Sequence, residues 1–380
     1  MSGKRQHHVP QFLQKGFSSR PGGKRELTWV YRKESADAFE TGIHNIGVEG
    51  CFYRFTNSKV DLSADDAITR AEAMRLSRLV RSLRNGCCNV EQSHSLISEL
   101  LAHVAIRTKA NWETMEAPAA PLFAKYRDLA LDPQALLPVL CAVAKAHRPM
   151  LIAGLAPRHP GLDVEAALDA LIHQLSVGEP SPDILKAAEA STQGPWPEIV
   201  SACFQMLKVQ VMQAVSERPA LLTLFNRCSF QVLDFPDARL VQGDAPVVFH
   251  RESGAGFAPE LPAGEYFNYA FLPLTPTRVL VASHGGSPGS WEELQRASIA
   301  CSYQHFISAE THLELAELAS NIGSAFPVLT EEDIAALFAE ALASAMSGSW
   351  PWGEADLLNS VEALASRFLP APAVGSSESP

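Results

Sequence analysis

Strand-forming sequence is confined to the two ends of this chain, and that constrains its fold more than any single motif. After Ser229 the pattern becomes β-like. Ser229–Phe235 alternates, Leu240–Phe249 reads as strand, tight turn and strand, and Tyr266–Leu274 and Thr277–Ser283 flank Thr275-Pro276. Strand backbones need hydrogen-bonding neighbours. Elsewhere only Leu27–Tyr31 and Phe52–Phe55 have the composition to supply them. The N-terminal segment is therefore expected to pair with, or lie on, the C-terminal sheet. The expected class is α+β and mainly helical. A small, mostly antiparallel sheet from the C-terminal strands plus the N-terminal segment would pack on a multi-helix layer.

The chain of 380 residues is read as one domain over 1–369 with a Pro/Ala/Ser-rich disordered tail at 370–380. Within it, 1–60 is an N-terminal strap and strands, 61–227 is helical, 228–290 is β-rich and 291–369 holds C-terminal helices. Ser63 is expected to cap a helix with Asp65 and Asp66 in its first turn, ended by a left-handed cap at Asn85-Gly86. At about 100° per residue, Ile68, Leu76, Leu79, Val80 and Leu83 share one arc, and Arg70, Arg75, Arg78, Arg81 and Arg84 share the other. Glu72 falls on the apolar arc, where a carboxylate is costly unless paired. A second helix is expected over roughly Val90–Met115. Arg107 and Asn111 intrude on its apolar face, and His103 stands at that face's edge, in steps of four. Asp163 caps a helix to Val177, Trp196–Arg218 is long and amphipathic, and Trp291–Leu318 and Glu331–Met346 read as helices.

Net charge is −11, unevenly spread. Residues 1–84 hold 15 Lys+Arg against 9 Asp+Glu, a balance of +6, which leaves −17 for the remainder. Such a chain is poorly suited to coating DNA, but a local site for phosphate or nucleic acid fits its basic quarter. Seven cysteines without a CxxC pair suit a reduced, cytoplasmic setting. No signal peptide follows Lys4-Arg5, and the longest apolar runs, such as Leu136–Ala144, are too short to span a bilayer, so no membrane partner is expected.

The opening run Gln6-His7-His8-Val9-Pro10-Gln11-Phe12-Leu13 resembles the start of a bacterial family known as a domain of unknown function, numbered four-two-three-eight. So do, in order, Phe52-Tyr53 followed by Glu72, Arg107-Thr108, Asp244-Ala245-Pro246-Val247 and Pro273-Leu274-Thr275-Pro276. The family is written with Ser or Thr before that Asp, where this chain has Gly243. The resemblance implies no activity. It indicates which residues recur together.

Read as chemistry, His7, His8, Glu72, Arg107 and Asp244 are the candidate catalytic residues. His8, Glu72 and Asp244 suit a divalent metal such as Mg²⁺, Mn²⁺ or Zn²⁺. Arg107, with Asn111, suits an anion clamp for substrate. This reading gives a metal-assisted phosphoester hydrolase acting on nucleic acid or a phosphorylated small molecule. A metal-free version has a His as general base, oriented by Glu72. The competing reading is a non-catalytic binding or scaffold protein, in which Glu72 and Arg107 form a structural ion pair and Asp244 holds a turn. Gln6–Phe17 is expected to strap into the interior, anchored by Phe12, Leu13 and Phe17, with one histidine aimed at the carboxylates.

Overall fold

A computed structural model describes residues 5–177, 182, 186, 219–326 and 330–346, apart from 24, 34, 51, 57–60, 65–67, 71, 162, 253, 255, 262–264 and 287. The expected helix Trp196–Arg218, Asp65, Asp66 and the tail 370–380 lie outside the described residues. The chain divides into two compact units, 1–116 with 201–328, and 117–200 with 329–380.

The first unit carries the strands: β1 Arg5–His7, β2 Leu27–Arg32, β3 Ser35–Gly42, β4 Val48–Gly50, β5 Arg54–Thr56, β6 Asp61–Ser63, β7 Ser229–Asp234, β8 Gln242–Gly243, β9 Val248–Arg251, β10 Phe257–Ala258, β11 Phe267–Thr275, β12 Arg278–Ser283 and β13 His305–Ser308. One sheet has the order β10-β9-β11-β12-β7 and comes from the C-terminal strands. A second has the order β3-β2-β13-β8, so N- and C-terminal strands do share a sheet. Their pairings are antiparallel. The α+β expectation holds.

Two strands are corrections. Trp291–Leu318 is not one helix: it stops at Ala300, forms β13 and turns helical again at Leu313. Open edges of β2 and β8 on either side of Phe306-Ile307 decide this segment, so tertiary pairing overrides a weak local preference. β3 is likewise fixed by pairing with β2.

The helices of this unit up to residue 116 are α1 Gln11–Gln14, α2 Ser77–Arg84, α3 His94–Ile106 and α4 Lys109–Glu116. Ser63 is not a helix cap, because it ends β6. A π-turn at Glu72–Leu76 leads into α2, and Gly86 at φ +68° ends the helix in the left-handed conformation the sequence called for. Leu76, Leu79, Val80 and Leu83 pack with Ile97, Leu100, Leu101 and Val104 of α3 against Phe249, Leu272 and Leu280 of the first sheet. Each fully buried leucine in such a core contributes roughly 1.5–3 kcal/mol.

The opening segment is a strap, as expected. Leu13 and Phe17 are fully buried, and Phe12 packs partly buried against the main core. The Thr28 hydroxyl donates to the Phe17 carbonyl at 2.7 Å. Arg84 clamps strap to sheet: its Nε donates to the Leu274 carbonyl at 2.9 Å and its Nη2 to the Leu13 carbonyl at 2.6 Å. Arg84 is thus not part of a solvated stripe, although Arg70, Arg75, Arg78 and Arg81 are exposed. A Cβ at Gly16 would meet the Leu274 carbonyl oxygen at 2.0 Å, so this close approach admits only glycine.

The second unit is helical: α5 Ala119–Leu131, α6 Pro133–Ala146, α7 Arg148–Leu155, α8 Val164–Val177, and a C-terminal helix Glu331–Met346. Asp163 caps α8 as expected, accepting from the Ala166 N–H at 3.0 Å. Among the described residues no single helix is long and apolar enough to cross a membrane.

Candidate functional site

The long helix expected over Val90–Met115 breaks at Arg107-Thr108, and this break organises the centre of the first unit. Ending α3 leaves the Ile106 carbonyl without a helical partner. The Trp112 indole takes it at 3.0 Å and the Asn111 amide at 3.4 Å. Thr108 accepts from the Asn111 N–H at 3.2 Å and starts α4. Asn111 therefore serves the break and does not join Arg107 in a ladder.

Arg107 is 2% exposed, and each of its three side-chain nitrogens is engaged within the protein. Nη1 pairs with the Glu72 carboxylate. Nε donates to the Tyr53 hydroxyl at 3.1 Å, and Nη2 donates to the His7 backbone carbonyl at 2.7 Å. Tyr53 in turn donates its hydroxyl to that carbonyl at 3.0 Å, and its backbone N–H donates to the Gln6 side chain. His103 Nε2 lies 3.1 Å from the Glu72 carboxylate. Burial pushes the His103 pKa down to about 4, against a small opposing pull from Glu99, so the ring is neutral near pH 7 and donates Nε2–H to Glu72. Its Nδ1 has no hydrogen-bond partner among the described residues.

The histidines of the strap are turned away from these carboxylates. His7 Nδ1 contacts the Ile46 carbonyl at 3.1 Å, and its Nε2 contacts the Gln11 amide at 2.6 Å. His8 packs on Phe52 at 4.2 Å between ring centroids and sets Nε2 3.5 Å from Glu49. The strap meets Arg107 through a backbone carbonyl, which no side-chain pattern could announce.

Asp244 lies at another node. It accepts from the backbone N–H groups of Tyr303, Gln304 and His305 at 2.6, 2.8 and 3.2 Å. One of its oxygens is 3.3 Å from His305 Nδ1. Burial lowers the His305 pKa, Asp244 opposes this, and Arg32 adds to it. A Cβ at Gly243 would meet the Ser302 hydroxyl and come within 3.0 Å of the Ser298 carbonyl, so a side chain there requires Ser302 to shift.

A polar seam connects the two nodes. Tyr303 donates its hydroxyl to Glu113. Glu113 and Glu49 hold Lys109 at 3.2 and 3.3 Å, and Glu49 faces His8. Burial would lower the Lys109 pKa, but the hydrogen bonds and charges of Glu113 and Glu49 outweigh it and raise it. The Tyr303 pKa is pushed up to about 12, first by its bond to Glu113. His7, His8, Glu72, Arg107 and Asp244 thus share one network, but not one cluster of reactive groups.

The expected metal set is not gathered. His8 faces Glu49, Glu72 faces Arg107 and His103, and Asp244 is taken up by backbone amides. Among the described residues no group of three His, Cys, Asp or Glu side chains is arranged to hold an ion. The anion clamp is also unavailable, because Arg107 is already neutralised by Glu72. His305 is the residue sequence reasoning missed. It was assigned to a helix, and its only signal is its position on a strand opposite Asp244.

This is an α+β protein with a locked N-terminal strap. Residues 5–128 match the model of a family described as protein of unknown function (DUF4238). The resemblance read from the opening run, Phe52-Tyr53, Glu72 and Arg107-Thr108 is borne out over that span. The Asp244 and Pro273 steps lie beyond it. No curated protein and no solved structure gives a match.

Proposed function

We propose that this protein is a non-catalytic binding protein whose His/Glu/Arg network fixes the strap in place. The observation that carries this is the engagement of all three Arg107 nitrogens by Glu72, Tyr53 and the His7 carbonyl. A group so enclosed cannot also clamp a substrate. The proposed ligand is a phosphorylated small molecule or nucleic acid, as the basic N-terminal quarter suggests.

A second reading, phosphoester hydrolysis, is favoured by the Asp244–His305 pair. Asp244, immobilised by three N–H groups, orients the imidazole through Nδ1–H. Nε2 forms no hydrogen bond among the described residues, so its lone pair can take a proton from an attacking water. The same proton would go to the ester oxygen as it leaves.

One assay separates the two. The purified chain is incubated with bis-p-nitrophenyl phosphate and p-nitrophenyl phosphate, with and without Mg²⁺ or Mn²⁺. The binding reading expects no turnover above a protein-free blank. Turnover that is lost in His305→Asn would sink it and establish the second reading.

A further inference from the structure

A cleft of about 400 Å³ lies where the strap meets the first hairpin, lined by Gln11, Gly23, Arg25, Glu26, Ile43 and His44. We infer that this cleft binds a small phosphorylated ligand through Arg25. The inference rests on the binding-protein reading and names the ligand class.

The charges around the cleft favour an anion. Arg25 is exposed and forms no ion pair among the described residues. Glu26, the single carboxylate in the lining, is held at 3.0 Å by Lys15 and also lies within electrostatic reach of the half-buried Arg84. Lys15 and Arg84 thus offset the Glu26 carboxylate, which leaves Arg25 as the uncompensated charge of the lining. A planar guanidinium meets two phosphate oxygens at once, and the Gln11 amide and His44 ring line the same cleft as polar groups.

The size and the wider field exclude a long polyanion. The volume is at the small-molecule end of ligand sites. Beyond residue 84 the chain carries a balance of −17, which repels an extended nucleic acid. The site also touches the strap. Gln11 bonds His7 Nε2 at 2.6 Å, and the His7 carbonyl is an acceptor of Arg107. A ligand seated against Gln11 thus bears on the network that locks the N-terminus.

The test is calorimetric titration of the full chain with adenosine monophosphate, adenosine, inorganic phosphate and a single-stranded oligonucleotide. Adenosine monophosphate and phosphate are expected to bind, and adenosine is not. Arg25→Glu should weaken binding at least roughly tenfold, about one charge-assisted hydrogen bond, without changing the melting temperature. Arg81→Glu, on the exposed face of α2, should leave binding unchanged. Equal binding by wild type and Arg25→Glu overturns the proposal. So does loss of binding in Arg81→Glu alone, or a preference for the oligonucleotide. Hydrolysis of the monophosphate during the titration would overturn the binding-protein reading while leaving the cleft in place.

Discussion

Removing one partner of the Glu72–Arg107 pair exposes what the pair does. Arg107 is 2% exposed and the Glu72 side chain 20%, so the charges meet largely out of water. Breaking a buried pair from one side costs about 3–5 kcal/mol, because the survivor is left uncompensated. Glu72→Gln keeps an acceptor for Nη1 and should cost about 2–3 kcal/mol. Arg107→Met removes the charge and also the bonds to Tyr53 and the His7 carbonyl, so about 4 kcal/mol is expected. In the double variant no charge is stranded. Its cost should stay near that of Arg107→Met alone, a coupling of about 2 kcal/mol. Urea unfolding followed by tryptophan fluorescence gives all four corners of the cycle. Additive costs, or a Glu72→Gln protein as stable as wild type, would refute the lock and turn attention to a functional role for the carboxylate.

Gly16→Ala should destabilise the protein by roughly 1–3 kcal/mol or more, since the new methyl overlaps the Leu274 carbonyl and the Arg84 guanidinium. The shift is readable as a lowered urea midpoint, and an unchanged midpoint would mean the strap docks otherwise. His103 sets a pH dependence whose sign follows from its lowered pKa. The unfolded chain takes up the proton near pH 6.5 and the folded one only near 4, so the unfolded state binds more protons in between. Stability should therefore be full above the unfolded value and fall as pH drops from about 6.5 towards 4. His103→Gln should flatten that slope in a series of urea titrations, and an equally steep slope would assign the effect to other groups.

The β11–β12 hairpin was legible because Tyr266–Leu274 and Thr277–Ser283 are apolar, strand-forming runs on either side of Thr275-Pro276, a local signal that tertiary packing had no cause to oppose. Glu72 and Arg107 were legible for the converse reason: each breaks the apolar arc of its own helix, and the structure pairs them. What stayed hidden depends on partners far away in sequence. β13 looks helical until β2 and β8 offer their edges. Arg84 looks like one more surface arginine until the Leu13 and Leu274 carbonyls arrive. The break at Arg107 carries no Pro or Gly, so nothing in the chain marks it, although it moves Asn111 from the site to a capping task. The histidines of the strap misled because their side chains drew attention, while the working group was the His7 carbonyl.

The pairing of β2 with β13 also bears on how the chain is made. β2 is complete by residue 32, yet its partner begins at residue 305. At about 5–20 residues per second, the ribosome takes on the order of 15–60 s to deliver that partner. Throughout that interval one edge of β2 is open and the strap lacks the Ile307 surface that buries Phe17, and until Leu274 is made it also lacks the carbonyl that approaches Gly16. The contacts of Phe17 with Ile307 and of Gly16 with Leu274 therefore wait for the last third of the chain, whereas the Glu72–Arg107 lock on the His7 carbonyl needs only residues made by position 107. A nascent chain halted before β13 would display the most basic quarter of its sequence and an unpaired strand edge to whatever chaperone or sister chain is near.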